Sequence, residues 1–178
     1  MGCTSYCDDD LLPHSLVNCE AYSLGGSPAM IVGACGTTLV NPSDAAEIQA
    51  LLDAGTATLL NNVRVALPAG SPILLDAPVG CGSQVRVNED RTLTLFDANV
   101  TDDNVDFFDN LNNRKLAWAL VFLCDSNKVV YINPAAGISS SIQFVIPEQN
   151  NEFQRFEGVL SWRDKAIPKQ FNAPAGIF

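Results

Sequence analysis

From Ala57 to Trp162 the chain consists of short runs in which apolar residues alternate with polar ones or stand together, the patterns of half-buried and fully buried strands. The runs predict strands over Ala57–Leu60, Val63–Leu67, Ile73–Leu75, Gln84–Val87, Arg91–Leu95, Leu116–Cys124, Lys128–Ile132, Ile142–Ile146 and Gln154–Trp162. In Arg91-Thr92-Leu93-Thr94-Leu95 both leucines fall on one face and the threonines on the other. Gly158 interrupts the last run and marks a bulge. Asn88-Glu89-Asp90 and Asp125-Ser126-Asn127 each separate two runs and read as hairpin loops.

Two segments carry helical periodicity instead. In residues 41–56, Asn41 stands as a cap with Pro42 at the first helical position. Asp44 and Glu47 face the positive end of the dipole, Ile48, Leu51 and Leu52 form an apolar stripe, and Gly55 ends the helix. In residues 101–113, Thr101 caps, Asp102, Asp103 and Asp106 occupy the first turn, and Val105, Phe108 and Leu111 form the buried face. The fold class is therefore mainly β (α+β), a β-sandwich or rolled β-barrel with one or two flanking helices. Residues 1–40, punctuated by glycines, predict an extended N-terminal arm holding a short strand or two, whose deletion should leave the domain folded. The β domain spans 57–171, and 172–178 form a tail ending in Ile177 and Phe178.

Charge changes this picture. The first 63 residues contain seven acids and no lysine or arginine; all ten basic residues follow, beginning at Arg64, among thirteen acids. The net charge of −10 thus belongs mostly to the N-terminal third, which cannot hold phosphate or nucleic acid by charge. Charged residues are 17% of the chain, against roughly 25% in a typical soluble domain, which predicts surface meant to be covered. No signal peptide is expected from MGCTSYCDDD, which lacks a basic start and an apolar stretch, and no apolar run approaches a membrane span. The Asn99-Val100-Thr101 sequon is therefore expected to go unused.

Candidate chemistry is sparse. Among the six cysteines no C-x-x-C pair occurs, and His14, the one histidine, offers no zinc set with Cys3, Cys7 and Cys19 beyond a loose imitation. Cys124 reads as a buried thiol, whereas Cys3, Cys7, Cys19, Cys35 and Cys81 could cross-link in an oxidising environment. His14 lacks a nucleophile context, Gly80-Cys81-Gly82 lacks the lysine and helix of a phosphate loop, and Asp8-Asp9-Asp10 lacks the remainder of a calcium loop. No catalytic residue, metal or cofactor is expected. Trp118 reads as core and Trp162 as a rim or interface ring.

The alternating strand Arg91–Leu95, the capped helix Thr101–Asn113, the apolar strand Leu116–Cys124 with its hairpin to Lys128–Ile132, and the closing Gly158-Val159-Leu160-Ser161-Trp162 resemble, in that order, small virion proteins of tailed bacteriophages, above all tail-tube proteins. The resemblance covers about residues 57–165 and is architectural. It implies a rolled β domain whose loops or arms reach into adjacent subunits of stacked rings. It also implies a virion location after synthesis in the host cytoplasm, and contacts with further copies and other virion proteins, with no specific nucleic acid and no membrane. A capsid decoration or neck protein shares these features. A second class is a glycan- or protein-binding β-sandwich using a loop at Asn133–Ser141; a third is an enzyme with a spatially assembled acid pair. For assembly the expected interface residues are Leu11, Leu12, Met30, Ile31, Trp162, Ile177 and Phe178.

Overall fold

A computed structural model of the chain describes residues 29–61, 63–76, 84–123, 127–147 and 153–176. They form a mainly β fold of ten strands and two helices, with every strand pairing antiparallel. The strands are β1 Ala29–Ala34, β2 Ala57–Asn61, β3 Arg64–Ala66, β4 Ser71–Asp76, β5 Gln84–Asp97, β6 Lys115–Leu123, β7 Lys128–Ile132, β8 Ile138–Val145, β9 Arg155–Arg163 and β10 Lys169–Asn172; the helices are α1 Ala45–Asp53 and α2 Asp102–Asn112.

The pairings run β1–β6–β8–β9–β5, and the ring closes through β2 and β3. These two are consecutive segments, and β2 pairs with β1 while β3 pairs with β5. The sheet is therefore rolled. Its interior holds Met30, Val32, Leu60, Leu93, Leu95, Val121, Ile142, Phe156, Leu160 and Trp162, and α2 plugs it with Phe107, Phe108 and Leu111. A second apolar layer lies on the outer face of β1 and β6, where Ile31, Trp118, Leu120 and Phe122 pack with Ile48 of α1 and with Leu39 from the segment before that helix. Strands β1 and β6 are thus buried on both faces, which explains their unbroken apolar sequences. Between Gly33 and Ala34 the register with β6 slips past Ala117, so Leu116 points inward and Trp118 outward. Opposite, Gly33 leaves room for that indole; a Cβ there would stand 2.2 Å from it.

Several sequence expectations need correction. The arm drawn over 1–40 is not an arm from residue 29 onward, because β1 lies between β2 and β6, hydrogen-bonded on both sides; residues 1–28 lie outside the described residues. Helix α1 starts later than Asn41 and Pro42 suggest. Asp44 is its cap, accepting from the backbone N–H groups of Ala46 and Glu47, while the Asn41 side chain accepts from Ser43 N–H in a local turn. Its end is as expected: Gly55 at φ 69° closes it, with Gly55 N–H on Leu52 and Thr56 N–H on Leu51. On α2 the Thr101 cap holds, but the buried face carries Phe107 and not Val105, because Phe108 and Phe107 turn together into the barrel against Phe156. Strand β8 begins at Ile138, so the last four residues of the expected 133–141 loop are strand. Strand β10, which the sequence pattern did not signal, pairs with β7.

The largest difference concerns Asn88-Glu89-Asp90. These residues do not turn; they lie within β5, a single strand of 14 residues. A polar triplet imitates a loop, but here Glu89 and Arg91 are neighbours on the inward face and neutralise each other, 2.9 Å apart and both buried.

Candidate assembly surface

The length of β5 creates the feature that stands out from the body. Its residues 90–97 pair with β9 on one edge, and 94–96 pair with β3 on the other. Residues 84–90 pair with β4, and β9 reaches no further than Asp90 opposite Arg163. Among the described residues β4 has no substantial partner but β5. Strand β4 and residues 84–89 therefore form a two-stranded ribbon leaving the rolled sheet, about 20 Å long at ~3.3 Å per residue. Its register slips between Ile73 and Leu74, opposite Val87, adding the twist of a bulge. Leu74 and Val87 are 45% and 44% exposed, and Leu67, just before the ribbon, is also exposed. An isolated two-stranded ribbon is marginal in water, and apolar side chains along it seek cover.

The base of the ribbon is tied on both faces. Inward, the Glu89 carboxylate accepts from the Arg91 guanidinium; Gly70 packs so close to Glu89 that a Cβ would meet its carboxylate at 2.1 Å. Outward, Arg163 grips Asp90 with two hydrogen bonds, Nε to Oδ1 at 2.7 Å and Nη2 to Oδ2 at 3.3 Å. That grip, chiefly through the hydrogen bond, holds the Asp90 carboxyl below its ordinary value and raises Arg163. The Asp164 N–H donates to the Glu89 carbonyl as the last backbone link.

Further along β5, the outer face of β8, β9, β5 and β3 forms an open groove of about 660 Å³. Register aligns its floor in cross-strand rows, Gln143–Glu157–Phe96–Arg64 and then Ser141–Val159–Thr94–Ala66. Beside it Arg155 bonds Glu157 at 2.8 Å and lies over the Phe96 ring at 5.3 Å. Gly158 sits where β8 presses on β9; a Cβ would stand 2.1 Å from the Ser141 carbonyl oxygen. A second apolar exposure lies where β8 ends and β9 approaches, with Phe144, Ile146 and Phe153 open to solvent.

The residues expected at an interface are placed differently. Met30, Ile31 and Trp162 are buried within the two apolar layers, so they hold the fold together and present nothing to a neighbour. Burial also withdraws Trp162 from a rim or interface role. Leu11, Leu12, Ile177 and Phe178 lie outside the described residues, as do His14 and the acids at 8–10. Trp118 is core, as expected, and its indole N–H donates to Thr37 Oγ1 at 3.0 Å. Cys35 is disulfide-bonded; the other cysteines lie outside the described residues. The ribbon was missed because its polar base resembled a turn. The available signal was the odd-numbered series Val85, Val87, Glu89, Arg91, Leu93, Leu95, with opposite charges two residues apart on one face.

No family model, curated protein or solved structure matches the chain. No helix among the described residues is long and apolar enough to cross a membrane.

Proposed function

We propose that this protein is a self-assembling structural subunit, and that it serves in a virion as a tail-tube subunit of a tailed bacteriophage. The observation that carries the reading is the ribbon of β4 and residues 84–89, which extends past the body with Leu74 and Val87 exposed and, among the described residues, has no further strand to pair with. A rolled sheet supplies a rigid body, and a ribbon supplies reach into the next copy. The outer side of α2 supports a DNA-conducting role. Asp102, Asp103, Asp106 and Asp109 are all exposed there, and an anionic lumen repels phosphate and lets DNA pass.

Purified protein is expected to show rings or tubes in negative-stain images. The double variant Leu74→Asp/Val87→Asp is expected to lose them while keeping its far-UV circular dichroism, since both side chains are exposed and their replacement leaves the core intact. A wild-type chain that stays monomeric at high concentration would overturn the reading.

A further inference from the structure

We infer that Cys35 carries a redox-dependent clasp: its disulfide closes on a cysteine of residues 1–28 and ties that acidic segment back to the body. Cys35 is disulfide-bonded, and the chain offers it five possible partners, Cys3, Cys7, Cys19, Cys81 and Cys124. Two cysteines bridge only when their Cα atoms lie within about 7 Å. Ala34 stands opposite Leu116 and Met30 opposite Val121, so Cys35 lies past the Leu116 end of β6. Cys124 follows Leu123 at the other end, about 23 Å from Leu116 at ~3.3 Å per residue, and is out of reach. Cys81 is excluded in the same way. Lys115, Ser139, Ser161 and Thr92 stand in one cross-strand row beside Ala34. From Thr92, β5 runs about 26 Å to Gln84, toward the Leu123 end and away from Cys35. Cys81, three residues before Gln84, can recover at most about 11 Å of that. The remaining candidates, Cys3, Cys7 and Cys19, all precede β1.

The chain is long enough for this. Cys35 follows the far end of β1, about 20 Å from Ala29, and the stretch from Cys19 to Ala29 spans up to about 33 Å when extended. The Cys35 end of the clasp is held by the core. Thr37 N–H donates to the Ala34 carbonyl at 3.1 Å, and Gly36 supplies the positive φ of the turn at 84°. The buried Trp118 indole N–H then donates to Thr37 Oγ1 at 3.0 Å. Closure oxidises two thiols, and a low-molecular-weight disulfide such as oxidised glutathione takes the two electrons. One cysteine thiolate attacks it, forming a mixed disulfide and releasing one glutathione thiol; the second cysteine displaces the other, and two thiols leave for each bond made. Reducing surroundings run the exchange backwards, so the segment with Asp8, Asp9, Asp10 and Glu20 is released in a reducing cytosol and tied down outside it.

The sequence makes the test direct. Trypsin leaves Cys3, Cys7, Cys19 and Cys35 on one peptide, because the first basic residue is Arg64. Cleavage after glutamate separates them: residues 1–20 carry Cys3, Cys7 and Cys19, while Cys35, Cys81 and Cys124 fall on 21–47, 48–89 and 90–148. The full chain is equilibrated with oxidised glutathione, its free thiols are blocked with N-ethylmaleimide, and the non-reduced glutamate digest is mapped by mass spectrometry. Peptide 21–47 is expected joined to 1–20. Its joining to 48–89 or to 90–148, or a blocked thiol on Cys35, overturns the inference. The clasp closes a loop of 17 to 33 residues, so Cys35→Ser should lower the urea midpoint of the oxidised protein by about 1–2 M. An unchanged midpoint overturns the tie between segment and body. If Cys35→Ser does not fold, the wild-type map decides alone.

Discussion

Removing residues 1–40 should abolish folding, and the size of the effect follows from where β1 lies. The deletion takes away Met30, Ile31, Val32 and Leu39, each at most 2% exposed. Burying such a side chain is worth about 1.5–3 kcal/mol, so the four together contribute roughly 6–12 kcal/mol. That is comparable to the whole stability of a domain, about 5–15 kcal/mol. The loss is compounded because β1 is hydrogen-bonded to both β2 and β6, and because Tyr131 loses its acceptor, the Leu39 carbonyl. Far-UV circular dichroism and a urea melt should show no cooperative β structure in the truncated chain. The point variant Met30→Ala separates β1 from the residues before it and should cost about 2–5 kcal/mol in the full chain. A truncated protein that unfolds cooperatively at the wild-type urea midpoint would refute the placement of β1 as a central strand.

At the ribbon base, Glu89→Ala leaves Arg91 buried and uncompensated, with its Nε already lacking a partner. It is expected to cost about 3–5 kcal/mol by urea denaturation, and a loss below the ~1 kcal/mol of a surface pair would show that the guanidinium reaches water. On the outer face, Asp90 has a lowered folded pKa, so its pairing stabilises the protein above the unfolded carboxyl value and is lost as pH falls through the folded one. Carboxyl NMR should place the Asp90 midpoint below 3.8 in the wild type and move it upward in Arg163→Ala; an unmoved midpoint would exclude Arg163 as the cause.

The sequence was sufficient wherever a residue's environment is set by its near neighbours. Thr101 capping α2 and Gly55 closing α1 are contacts within one turn of chain, and both were legible. Strand β6 was legible too, because its unbroken apolar run admits little besides a doubly covered strand. The cap of α1 was misplaced by three residues because Asn41 and Asp44 are both good caps. The choice between them rests on the Glu47 carboxylate, which binds the N–H groups of Val40 and Asn41 and keeps that stretch outside the helix.

What only the tertiary structure decided are contacts between residues far apart in the chain. Whether Ala29-Met30-Ile31-Val32 is a loose arm or a central strand depends on β2 and β6, which arrive later in sequence and take it between them. Whether Asn88-Glu89-Asp90 turns or runs straight depends on Ser71 and Arg163 flanking Asp90 from two other strands. Local polarity predicts a turn there, but pairing on both edges and an internal ion pair hold the chain extended. The ribbon, and the assembly proposed through it, follow from that one non-local result.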